Sequence, residues 1–104
     1  SLFEILAKKL LIKIAFDRYI NNGDAFDFLD DKITGFDRYI QAQSLSNDKT
    51  QTDLNWIKFV RKLVSTKSRL VKVPPAKKKQ LRDNLEEIQS VSEKKWLFAK
   101  IEAL

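Results

Sequence analysis

The residues that most often carry catalysis are missing from this sequence. It has no histidine to exchange protons near neutral pH, and no cysteine to serve as nucleophile or thiolate ligand. It also has no glycine-rich phosphate loop and no nucleophile elbow. The groups left for chemistry are carboxylates. In a helical register Asp24, Asp27 and Asp31 share a face with Asp30 beside them, and such a set of oxygen ligands suits a hard cation such as Mg2+. The stretch around Gly23 resembles a calcium loop in its glycine alone, because that alignment puts Arg18 and Leu29 where the first and last ligands belong. Acids near a helix start also complement the helix dipole and keep a face hydrated, and this is how we read them. The expectation is a protein that is not an enzyme, needs no metal or cofactor, and acts by binding.

Charge is the stronger signal. Between Leu54 and Arg82 ten residues are basic and none is acidic, so the formal +6 of the chain averages a segment at +10 and a remainder at −4. On a helix over 51–70, Lys58, Arg61, Lys62 and Arg69 share a side with Ser65, while Trp56, Phe59, Val60, Leu63 and Val64 take the other. The basic side is then the solvent side, and Trp56 and Phe59 belong to the core instead of serving as stacking platforms. Lys72 follows in the connection, and Lys77, Lys78, Lys79 and Arg82 open the next helix. If these helices are antiparallel neighbours, their cations merge into one basic patch that attracts the phosphates of RNA or DNA. No motif specifies which nucleic acid. Three lysines at a helix N-terminus oppose its dipole at about a few tenths of a kcal/mol each, which a bound anion or nearby acids would offset.

The alternative is a protein-interaction or scaffold domain of a larger assembly. The first helix is apolar on two flanks, Phe3, Leu10 and Ile14 on one and Ile5, Ile12, Phe16 and Tyr19 on another, with Lys9, Lys13 and Asp17 as a polar strip between them. Such a helix packs between two neighbours or offers one flank to a partner, and the first arrangement is the expectation. A second contact candidate comes from Trp96, Leu97 and Ile101. In an unbroken last helix Leu97, Ile101 and Leu104 would lie nearly opposite Leu81, Leu85 and Ile88.

Helices must position all of these groups. Two glycines and two prolines in 104 residues leave few turns, and an apolar fraction of 43% is enough for one core, so a single all-α domain over 1–104 is expected. The sequence predicts helices over 2–21, ended by Gly23, over 24–43, over 51–70 and from 76 onward. The run 44–50 reads as a loop in which Thr50 and Asp53 form a capping arrangement. Prolines hold 71–75 extended, with Pro75 suited to a first helical turn. The product is an antiparallel four-helix bundle, or five helices if the last one breaks near Ser90, where Ser90 and Glu93 have capping-box spacing. The echo of Phe16-Asp17-Arg18-Tyr19-Ile20 in Phe36-Asp37-Arg38-Tyr39-Ile40 is what two buried helical faces would each require. The charges between Leu2 and Ile20 argue against a membrane span, and an intracellular, cytoplasmic location is expected. Opening on Ser1 and lacking methionine, the chain reads as a piece of a longer protein.

Overall fold

The computed structural model describes residues 2–23, 25–43 and 48–104, and within them the chain is all-helical. Five helices follow one another: α1 (Leu2–Asn22), α2 (Phe26–Ala42), α3 (Asp48–Arg69), α4 (Pro75–Glu87) and α5 (Lys94–Ala103). Gly23 ends α1 in the left-handed region at φ 71°, its N–H donating to the Tyr19 carbonyl at 2.9 Å. Pro75 occupies the first turn of α4, where its missing N–H costs no helical bond. Asp24, expected to open the second helix, lies outside the described residues, as does 44–47 of the expected loop.

The last predicted helix is two. Its backbone leaves the helical region at Ile88 (φ −79°, ψ 113°) and re-enters after Glu93. The break lets two apolar stripes that would oppose each other on one straight helix turn into the same core. Leu81 and Leu85 from α4 are fully buried, and so are Leu97 and Ile101 from α5. The connection is pinned to α3, since Asn55 Nδ2 donates to the Ser90 carbonyl at 2.7 Å and the Ser92 N–H to that of Thr52 at 3.2 Å. Lys94 closes it from the other side through the Ile88 carbonyl at 2.7 Å.

Both expected caps are corrected. Thr50 lies inside α3, which begins earlier, and Asp53 is turned inward one turn before Trp56. Glu93 does take the position before α5, but in the left-handed conformation (φ 54°) and with no side-chain cap bond. A non-glycine residue there costs about 1 kcal/mol, and Glu93 is held in place by lysines of α1.

Within the core, α1 packs on α2, α2 on α3, and α5 on both α3 and α4. Trp56 sits at its centre, 5.7 Å from Phe36 edge to face and 5.9 Å from Trp96, which meets Phe16 at 5.4 Å. Burying the Trp56 indole leaves its Nε1 with no hydrogen-bond partner among the described residues. Phe16 and Phe36, the matching residues of the internal echo, are both buried, as a shared packing role requires.

Candidate binding surfaces

Helix α1 departs most from expectation. Its inner face buries Ile12, Ala15 and Phe16, and the flank expected to meet a second internal neighbour faces outward instead: Phe3 is 80% exposed, Leu10 55% and Ile14 49%. Leu2, Leu6 and Leu11 join them, giving an apolar surface along the first four turns of the helix. The leucines at positions 2, 6, 10 and 11 are the signal in the sequence that the wider face could have been read from. Single exposed apolar residues are ordinary, but a contiguous set of this size marks a contact site.

The strip of Lys9, Lys13 and Asp17 is engaged by neighbouring elements, with Lys9 buried and Lys13 and Asp17 part-exposed. Lys9 is 7% exposed, with its Nζ 3.1 Å from Asp53 Oδ1 of α3, 3.6 Å from Glu93 Oε2, and 5.8 Å from the centre of the Trp56 ring. Ser92 Oγ donates to the same Asp53 oxygen at 2.9 Å. Lys13 Nζ reaches Glu93 Oε1 at 2.7 Å, and Asp17 accepts from Lys100 of α5 at 2.7 Å. Helix α1 is therefore fastened to α3 and α5 by charge, and among the described residues no helical neighbour covers its other face.

Trp96, Leu97 and Ile101 do not form an outward contact. Leu97 and Ile101 are 0% exposed, and Trp96 is partly buried between Phe16 and Trp56. The reason is the break after Glu87, which rotates the α5 stripe inward.

The basic segment divides into two groups. Arg61 leans onto α2, its guanidinium 3.6 Å from Asp37, 4.0 Å from Asp30 and 3.4 Å from Thr34 Oγ1. Lys79 pairs with Asp83 at 2.8 Å, and Arg82 pairs with Glu102 of α5. Lys77 donates to Gln80 and Lys78 to the Glu102 carbonyl, both at 2.9 Å. Lys58, Lys62, Arg69 and Lys72 are exposed and have no carboxylate partner among the described residues. Three of these four lie on one face of α3, over about 16 Å at the helical rise. Lys58 and Lys62 border a hollow of about 330 Å3 with Phe59 and Ile88, and Arg69 and Lys77 border another of about 320 Å3 with Ser65. Helix α4 packs chiefly on α5, and at this second hollow Arg69 of α3 and Lys77 of α4 come to the same rim.

The acidic face of α2 is solvated, with Asp27, Asp30 and Asp31 exposed. No group of three or more carboxylates among the described residues is placed to hold a metal ion. Among the described residues no helix is long and apolar enough to cross a membrane. On the opposite edge of α1, Tyr39 has its phenol pKa raised, first by burial and then by the charge and hydrogen bond of Glu4. No protein-family model, curated protein or solved structure matches the chain.

Proposed function

We propose that this chain is a noncatalytic protein-interaction module that docks through the outer face of α1. The observation that carries this reading is the row Leu2, Phe3, Leu6, Leu10, Leu11 and Ile14, each between 47 and 80% exposed on a helix whose Lys9, Lys13 and Asp17 are bound within the fold. A bare apolar surface of this kind gains free energy by leaving water, and the residues that would shield it inside a monomer are absent from its described neighbours. Placing a photo-crosslinking amino acid at position 10, and separately at position 58, tests this in the cells that express the protein. A discrete protein adduct from position 10 and none from 58 is expected. Failure to form any adduct at 10 would remove the reading.

A second reading has its own support: that the free cations of α3 and of the connection after it bind the backbone of RNA or DNA. Lys58, Lys62, Arg69 and Lys72, with Lys77 across the hollow from Arg69, could contact about four phosphates, so binding to duplex DNA should weaken with salt at a log–log slope of about −3 to −4. Gel shifts at rising salt test it. Lys58→Glu with Lys62→Glu should abolish the shift, whereas no shift at the lowest salt would dispose of this reading.

A further inference from the structure

Building on the interaction reading above, we propose that the apolar face of α1 pairs with the same face of a second copy of this chain, the two α1 helices packing about a twofold axis. Area is the first argument. The six outward side chains, at roughly 100 Å2 open each, offer about 600 Å2 per copy and about 1,200 Å2 per pair, where standard specific interfaces begin. Spacing is the second. Phe3, Ala7, Leu10 and Ile14 follow one another at intervals of four, three and four residues, the pattern by which one helix seats its side chains between those of another. Ala7, exposed in the middle of the row, lets two backbones approach closely. A face built this way is complementary to itself, and a twofold pairing closes without leaving a free copy of the surface.

The rim gives the third argument. On one side Lys9 and Lys13 are drawn inward to Asp53 and Glu93, and Asp17 is held by Lys100. On the other, Lys8 lies 4.9 Å over the Tyr39 ring, and Glu4 bonds the Tyr39 hydroxyl. Two copies can therefore meet along the row with these charges already partnered, leaving Arg18, exposed beyond Ile14 and without a carboxylate partner among the described residues, at the end of the contact. An anionic bilayer would instead select an apolar helix face flanked by several free lysines and arginines; beside this face Arg18 is exposed, while the cluster of Lys58, Lys62 and Arg69 lies on α3.

Sedimentation of the purified chain from about 5 to about 500 µM is the test, a range that covers the micromolar affinity expected of a small interface. The average mass should rise from 12.1 kDa towards that of a dimer. Added salt should strengthen association by screening the repulsion between copies of charge +6, the reverse of its effect on polyanion binding. Leu10→Glu and Ile14→Lys should each weaken association by about tenfold or more, with helical circular dichroism and melting unchanged because both side chains already stand half in water. Lys58→Glu should leave the dimer intact. A monomer throughout the range overturns the proposal, as does undiminished association of Leu10→Glu or a monomer that floats with phosphatidylserine vesicles. A strict monomer that still gives a discrete adduct with a different protein from position 10 loses the self-pairing but keeps the interaction reading, and a monomer with no adduct loses both.

Discussion

Lysines 9 and 13 of α1 and lysines 58 and 62 of α3 belong to the same residue type on helices of similar length, yet they occupy opposite situations. The first pair points into the molecule and meets Asp53 and Glu93, with Lys9 nearly out of contact with water. The second pair projects from the surface and meets no carboxylate among the described residues. On α1 the apolar side chains take the outer position that charge occupies on α3. What governs each lysine is what lies opposite it: α1 runs past the acid-bearing inner edge of α3 and the start of α5, whereas Lys58 and Lys62 of α3 stand beside the hollow at Ile88, where no carboxylate of the described residues reaches them. A count of basic residues therefore describes neither the external field nor the internal fastening. The ion pairs that matter for stability are those whose partners were desolvated together.

The largest effect expected from this contrast is at Asp53. Asp53→Ala leaves the Lys9 ammonium buried with only the more distant Glu93 carboxylate, and should cost about 3 kcal/mol, to be measured by urea unfolding. A loss below about 1 kcal/mol would mean that Lys9 escapes to water and that the two lysine environments are not so different. Replacing both members, Lys9→Met with Asp53→Leu, should change stability by only about 1 kcal/mol in either direction, because a packed apolar pair substitutes well for a buried ion pair. Next in size is Arg61→Ala, where a partly exposed guanidinium shared between Asp30 and Asp37 is worth about 0.5 to 1 kcal/mol, a contribution that should shrink in high salt. Lys58→Glu with Lys62→Glu should alter stability by about 0.5 kcal/mol or less.

The smallest expected effect concerns pH. Tyr39 keeps its proton to higher pH in the folded chain than in the unfolded one, since burial and then Glu4 disfavour the phenolate. The unfolded chain loses that proton first, so the stabilisation is complete below the ordinary tyrosine value and is lost as pH rises through the raised one. In an ultraviolet absorbance titration Glu4→Gln should move the Tyr39 transition downward. An unmoved transition would leave burial as the whole cause.

The helices were legible in the sequence because their causes are local. Gly23 stops α1, Pro75 starts α4, and the apolar positions of α2 and α3 recur at helical intervals, so each element is determined by residues within a few turns of one another. Even the break after Glu87 was foreshadowed, because Leu97 and Ile101 are out of phase with Leu81 and Leu85. The same phase shift misled when read as an outward face: it marked a bend that carries those side chains into the core. The cap at Thr50 failed for a related reason, since a short polar residue spaced three before an acid looks the same whether the acid turns back to its own helix or across to another.

Two matters were left to the tertiary structure. Which charges remain free depends on partners far apart in the chain, 44 residues between Lys9 and Asp53 and 80 between Lys13 and Glu93, and periodicity holds no information about such distances. Whether Phe3, Leu10 and Ile14 would be covered depended on how many helices could reach that side of α1, and the ion pairs to Asp53, Glu93 and Lys100 place its neighbours elsewhere. Composition and spacing thus determined that there would be helices, a core and a surplus of cations, while the direction in which each face points was decided by packing, because burial is a property of neighbours and not of a residue alone.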